Sequence, residues 1–310
     1  MKNYISEALK RPEIVYFNLM KSGLLNCVPD RPYLELTYRV MMGKKLDLDN
    51  PSTFTEKLQW IKLYDQNPIY TDMVDKYRAK EIIKQRVGES HVIPTLAVAN
   101  HYDEIDFSAL PERFVIKCNH DSGGLIMCHN KNELDHKKNK KIIEKCLSRR
   151  FFKVQREWPY KNVKPKVICE EMLELKSGEP LSDYKIFCFN GKPTFVYVTF
   201  GRGRDEHLSM NYYDLQWNLL PVKHFIYDNF YGDFIPPVNF DEMLLIAEKM
   251  SEGIPFLRVD LYNVDGHIYV GELTFFPDAG YGKFNPLSFD KELGDLLVLP
   301  KTKLINGKIT

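Results

Sequence analysis

The chain has 310 residues, 44% hydrophobic and 27% charged, with 43 Lys and Arg against 42 Asp and Glu. This length suffices for two lobes with their own cores, and the balanced charge excludes broad non-specific nucleic-acid binding, which needs a basic surplus. No stretch is long enough to span a bilayer and the N-terminus lacks an uninterrupted apolar run, so no membrane segment and a cytoplasmic location are expected.

Residues 1 to 110 read as a mainly helical N-terminal region with a short α/β part. The run from Phe54 to Tyr64 has apolar residues at 54, 58, 61 and 64, one helix face, with Ser52 or Thr53 as cap and Glu56 in the first turn. A second helix is predicted from Thr71 or Asp72 to Arg86, stopped at Gly88. Val92 to Val98 reads as a short strand with a proline-marked edge.

Residues 111 to 310 read differently, as a second unit. Phe114 to Lys117 is a buried strand, with Gly124 to Cys128 as its hairpin partner. Lys131 to Arg150 is a charged helix whose lysines form a solvated face. Lys166 to Cys169 is a strand. Asn190-Gly191 and Asp265-Gly266 each suit a type I′ turn, which predicts hairpins over 184–200 and 256–274, with a helix over 240–250 between them. Helices flanked by antiparallel hairpins indicate an α+β fold. Six cysteines, at 27, 118, 128, 146, 169 and 188, form no C-x-x-C pair and read as buried reduced thiols.

The chemistry lies in an ordered series of short motifs. Asp260 and Glu272 fall on the two strands of the second hairpin, where period-two alternation lets both project from one face. Paired carboxylates are costly without a cation, and Mg2+ prefers oxygen ligands, so they are candidate metal ligands; solvated hairpin acids are the alternative. Lys117 ends an apolar strand, and Ser122, Gly123 and Gly124 form a loop able to offer backbone N–H groups to an anion, or simply a turn. Neither a Walker A loop nor a G-x-G-x-x-G motif is present. Glu170, Glu171, Met172 and Leu173 follow a hydrophobic strand and offer a hinge to an adenine edge, or a strand end with solvated acids. Asp183 and Lys185 share a face of the next strand. Arg202, Arg204 and Arg258 are candidates for clamping a carboxylate or a transferred phosphoryl group.

These stretches, with Phe54 to Trp60, Asp75-Lys76-Tyr77, Arg156 to Asn162 and Asp183 to Gly191, resemble the TupA-like ATP-grasp family linked to bacterial surface polysaccharide. The resemblance implies an ATP-grasp fold, two α+β lobes enclosing ATP. Lys117 and Lys185 would contact phosphates or the adenine side, Ser122 to Gly124 would form a flap, and Glu170 to Leu173 the adenine hinge with Asp183 near the ribose. Asp260 and Glu272 would hold Mg2+. Thr274 stands where the family's Glu-x-Asn motif has a ligand asparagine. The implied reaction is ATP-dependent carboxylate–amine ligation through an acyl phosphate, on a uronic-acid carboxyl with an amino acid or small amine, in association with polysaccharide assembly. Three alternatives remain open: a glycosyltransferase using Asp47-Leu48-Asp49, which also reads as a capping loop; a sugar or lipid kinase using the same ATP site; and a non-enzymatic scaffold, which Thr274 keeps in view.

Overall fold

The computed structural model describes residues 12–121, 123–200 and 208–310. Among the described residues five helices come first: α1 (Pro12–Ser22), α2 (Asp30–Met42), α3 (Phe54–Tyr64), α4 (Ile69–Val74) and α5 (Ala79–Val87). The predicted start of α3 is realised as a capping box. The Thr53 hydroxyl accepts the Glu56 N–H, while the Glu56 carboxylate accepts the N–H of Thr53 at 3.0 Å.

The single helix expected from 71 to 86 is two helices. Asp75 is buried, and its Oδ1 accepts the N–H groups of Tyr77 at 2.9 Å and Arg78 at 3.3 Å. An aspartate bonding its own backbone two and three residues on competes with helix continuation. The break turns the Lys76 N–H toward Asn119 O, at 3.0 Å, and carries the Lys76 side chain into the middle of the molecule.

Strands β1 (Thr95–Ala99), β2 (Phe114–Cys118), β3 (Ile126–Cys128) and β4 (Val167–Glu171) form an antiparallel sheet in the order β1-β4-β2-β3. Helix α6 (His136–Leu147) closes over it, and Ile143 and Cys146 join Phe114, Ile116, Cys118 and Cys169 in a compact core. The lysines at 137, 138, 140 and 141 are exposed, as expected for a solvated face. Helix α7 (Phe151–Gln155) leads on to Trp158, which is buried in the larger core.

The second sheet holds β5 (Asp183–Phe189), β6 (Lys192–Phe200), β7 (Ser209–Tyr213), β9 (Phe256–Val264) and β10 (His267–Thr274), ordered β10-β9-β5-β6-β7 and antiparallel throughout. Both expected hairpin turns are present. Asn190 and Gly191 have φ of 52° and 80°, and Asp265 and Gly266 have 49° and 90°, the paired positive values a type I′ turn requires. Between these hairpins lie the two-residue strand β8 (Lys223–His224) and α8 (Phe240–Ser251). After β10 come β11 (Phe284–Asn285), paired with β8, then α9 (Phe289–Leu296) and a terminal hairpin of β12 (Leu304–Ile305) and β13 (Lys308–Ile309). The whole is α+β, as the sequence indicates, and no helix among the described residues is long and apolar enough to cross a membrane.

The two faces of the second sheet are used differently. Ile186, Cys188, Val196 and Val259 are fully buried on the face that takes α8. On the opposite face, one end is aromatic: Phe54 of α3 packs 4.8 Å from Phe256 and 5.7 Å from Phe189, ring centre to ring centre. The other end of that face carries Asp183, Lys185, Asp260 and Glu272 and is left for chemistry. Five of the six cysteines are buried free thiols; Cys27 is exposed.

Helix α3 is locked to α9. Lys57 Nζ donates to the carbonyls of Gly294 and Leu297, both at 2.7 Å, and the Thr55 N–H and hydroxyl donate to Asp290 at 2.9 and 2.8 Å. The approach needs Gly294, since a Cβ there would collide with Ser52 O and lie 2.8 Å from Thr53 Cα. Gly294→Ala is therefore expected to lower unfolding stability by about 1–3 kcal/mol, the usual cost of overpacking, read as a drop in urea midpoint at unchanged slope.

Candidate active site

The site begins with register. Across the second sheet Glu272 lies opposite Asp260, Asp260 opposite Lys185, Lys185 opposite Tyr197, and Tyr197 opposite Tyr212. One row of side chains thus crosses all five strands on a single face. A β-bulge completes it. Val270 pairs with Leu261, but Glu272 pairs with Asp260, so Gly271 is the extra residue that brings Glu272 into the row. The close approach at Gly271 leaves no room for a side chain, because a Cβ would lie 2.6 Å from the Tyr262 ring.

The row is charged and paired. Lys185 Nζ bonds Asp183 and, at 2.8 Å, Asp260. Arg258 clamps Asp260 with Nε and Nη2, both at 2.7 Å, and its Nη2 also reaches the Thr274 hydroxyl at 3.1 Å. Asp260 is buried, so its charge stands only because two cations meet both its oxygens. Burial opposes the charge on Arg258, but Asp260 outweighs it and keeps the guanidinium pKa well above its ordinary value.

The first sheet supplies the facing wall. Glu170 is buried and receives Lys117 at 2.5 Å and Lys80 at 2.7 Å. Lys76 Nζ spans the gap, bonding Glu272 at 2.9 Å and the Asp121 carbonyl at 3.3 Å. Burial by itself would raise the Glu272 carboxyl; Lys76, with Arg258 and Lys185, reverses this and holds it at about 2. Lys80 is the opposite case, its pKa lowered by burial despite Glu170. Tyr160 lies close enough for Glu272 and Glu157 to add to the effect of burial, which keeps its phenol well above the usual range.

The glycine loop is pinned at its base. Asp121 accepts the Gly123 N–H at 3.2 Å and pairs with Arg149 at 2.9 Å. Gly124 allows the loop to press on α6, since a Cβ there would lie 2.7 Å from the Cys146 sulfur. His120 is buried beside it, and desolvation lowers its pKa.

The structure therefore brings together Asp183, Lys185, Arg258, Asp260, Glu272 and Thr274 on one sheet, with Lys117 and Glu170 on the other. Gly123 and Gly124 lie in the loop after β2. Glu171 is exposed, and its N–H donates to the Pro94 carbonyl at 3.1 Å; Met172 is buried and Leu173 half-buried beyond it. Ser122, Arg202 and Arg204 lie outside the described residues. Lys76 and Lys80 carry no sequence-stated role, yet both contact the site's carboxylates. The Asp75-Lys76-Tyr77 stretch was the available signal for the first. Asp260 and Glu272 present hard oxygen donors, the kind Mg2+ takes, on opposed strand positions; Arg258 and Lys185 occupy both oxygens of Asp260, and Lys76 one of Glu272.

The TupA-like ATPgrasp family model matches residues 56–298. No curated protein matches the chain. Among solved structures, D-alanine–D-alanine ligase from Bacillus anthracis complexed with ATP is 15% identical over 66% of this chain and 54% of its own, at a TM-score of 0.37. ATP-grasp ligase PsnB complexed with minimal precursor, Mg and ADP is 12% identical over 78% of this chain and 64% of its own, at 0.40. The chain matches about half the length of the first of these.

The Lys76–Glu272 pair has a measurable signature. A carboxyl held at about 2 rather than 4.5 contributes stability that is complete above pH 4.5 and is lost as pH falls toward 2. Lys76→Met raises the Glu272 pKa and removes that contribution. The gap in urea midpoint between the parent and Lys76→Met is expected to be widest above pH 4.5 and to narrow with acidification.

Proposed function

The chain belongs to the TupA-like ATP-grasp family, and we propose that it is an ATP- and Mg2+-dependent carboxylate–amine ligase. The observation that carries this reading is the charged row Glu272–Asp260–Lys185 set against Lys117, Lys76 and Glu170 of the other sheet. Such a cleft offers cations for phosphate and carboxylates for a metal, each preorganised by a buried partner.

In this reading Lys117 and Lys185 meet the phosphates, and the segment from Glu170 to Leu173 borders the adenine with Asp183 near the ribose. Ser122, Gly123 and Gly124 cover the phosphates. Asp260, Glu272 and the Thr274 hydroxyl would hold Mg2+, which supplies charge neutralisation at the phosphates. Arg258 leaves Asp260 to steady the carboxylate or the transferred phosphoryl group, a task shared with Arg202 and Arg204. The carboxylate oxygen of one substrate attacks the γ-phosphorus with loss of ADP. The nitrogen of the amine then attacks the acyl carbon, with loss of phosphate and one proton, giving an amide. Positioning and charge stabilisation by these side chains are the protein's contribution. The carboxylate substrate proposed is a uronic acid of a surface polysaccharide or its precursor, which places the chain beside polysaccharide assembly.

The glycosyltransferase reading finds no support at Asp47-Leu48-Asp49. Asp47 Oδ1 accepts the N–H groups of Asp49 at 3.0 Å and Asn50 at 2.9 Å, the geometry of a capping loop.

Thermal denaturation with Mg2+ and one nucleotide at a time tests the reading. ATP and ADP are expected to raise the melting temperature, while UDP-glucose and UDP-glucuronate leave it unchanged; the reverse pattern overturns the assignment. Asp260→Asn is expected to cut ADP release from ATP by at least about 100-fold, the scale of losing a preorganised charge at a reacting phosphate, with an unaltered circular dichroism spectrum. Full turnover in that variant removes Asp260 from the site.

A further inference from the structure

Next to Lys185, on the β6–β7 side of the row, the structure holds a cavity of about 150 Å³. Its walls include Tyr197, Tyr212 and Tyr227, and it is reached by Thr199, His224 and Asp278. None of these residues is part of the nucleotide-binding set given above.

Three observations define its chemistry. First, charge. Lys185 and Arg258 are bonded to Asp183 and Asp260, and the cavity is lined by one further carboxylate, the solvent-exposed Asp278, which no Lys or Arg among the described residues bonds. Its partner is His224, whose Nδ1 accepts the Ile226 N–H at 3.2 Å. With Nδ1 so engaged, Nε2 is the nitrogen that faces Asp278 Oδ2, at 3.3 Å.

Second, Asp278 is aimed at a cost. Asp278 and Ala279 both have positive φ, 49° and 52°, a left-handed conformation that residues other than Gly, Asn and Asp rarely adopt. The turn is held from beneath by buried donors of α3. Lys62 Nζ gives a 2.7 Å hydrogen bond to the Ala279 carbonyl, and Gln59 Nε2 gives one of 2.8 Å to the Gly280 carbonyl. Lys62 is almost wholly buried, and burial lowers its pKa. Gly282 leaves the carboxylate its space, since a Cβ there would lie 3.0 Å from Asp278 Oδ2.

Third, the Thr199 hydroxyl is buried at the cavity without a hydrogen-bond partner among the described residues. A buried orphan acceptor and donor calls for a polar ligand atom.

A carboxylate bonded to no Lys or Arg, aromatic walls and an unpaired hydroxyl around a small volume match one class of group. We propose that this cavity binds an organic ammonium: Asp278 neutralises it, Tyr212 and Tyr227 enclose it, and Thr199 accepts one of its N–H bonds. This rests on the ligase reading for one further statement, that the ammonium is the amine co-substrate, delivered beside Lys185 where the phosphoryl chemistry is placed. The volume admits a small primary amine or the amino end of a larger molecule, and not a whole sugar chain.

Isothermal titration of the full chain with propylamine, ethanolamine and glycinamide tests the site, with 1-propanol and glucose as neutral probes. The amines are expected to bind and the neutral probes to bind at least ten-fold more weakly. Asp278→Asn is expected to weaken amine binding at least ten-fold while keeping the Mg-ATP thermal shift of the parent. Tyr227→Leu, which leaves the charged row itself unchanged, provides a second readout and is expected to weaken the amines several-fold. Equal amine affinity in both variants, tight binding of the neutral probes, or no amine binding by the parent overturns the proposal. Amine binding in a chain that shows no shift with Mg-ATP leaves the ammonium site standing and removes the ligase reading instead.

Discussion

Asp260 is the residue on which the candidate site depends. A carboxylate taken out of water is strongly penalised unless cations and hydrogen bonds replace the solvent. Here Lys185 comes from the strand on one side and Arg258 from two positions back on the same strand, and together they satisfy both oxygens. This arrangement requires β5, β9 and β10 to hold one register. A slip by one residue would send Asp260 to the face that packs on α8, where Val259 and Leu261 now sit fully buried. The apolar alternation that builds the core therefore also sets the position of the charge.

Around this centre the ions form two linked systems. One lies within the second sheet, from Asp183 through Lys185 and Asp260 to Arg258. The other crosses between sheets, from Lys117 and Lys80 on Glu170 to Lys76 on Glu272. Buried pairs of this kind contribute little net stability compared with apolar packing, and removing one partner is costly. Under the proposed function their worth would lie in exchange: phosphate oxygens would take over the lysines, and the released carboxylates would serve a cation.

The hairpins were legible because their determinants are local. Asn190-Gly191 and Asp265-Gly266 demand positive φ, and alternation on either side fixes which residues share a face. Thr53 and Glu56 likewise announce the start of α3. From such features Asp183 with Lys185, and Arg258 with Asp260, could each be placed on a shared strand face, whereas an unbroken register would set Glu272 opposite Val259 on the other side. The bulge at Gly271 could not, although it alone makes Glu272 oppose Asp260 rather than lie a residue out of step. Nor could Lys76 and Lys80. Both lie in what reads as one continuous helix, and their reach into the cleft follows from the break at Asp75, whose cause is a side chain bonding its own backbone. Strand β7 and the β8–β11 pair were also unread, being short and irregular in pattern, and with them the surroundings of His224 and Asp278.

That second set explains why α3 carries polar residues where its apolar face predicts none. Gln59 and Lys62 are almost wholly buried on a helix whose remaining contacts are aromatic and aliphatic. A lysine costs more to bury than a leucine of similar reach, so its retention calls for a bond that a leucine cannot make. Lys62 makes two such bonds, to the Gln155 carbonyl and to the Ala279 carbonyl, the latter at the turn of two left-handed residues that carries Asp278. The helix that opens the family-matched region thus reaches across the molecule and sets the geometry of a loop more than 200 positions later, as the Gln59 contact separated by 221 residues shows. Gly294 and Lys57 anchor the same helix to α9 on its other flank. The N-terminal helices act as the rigid frame against which the C-terminal turn is held, and the cavity exists because that frame tolerates buried polar groups instead of excluding them.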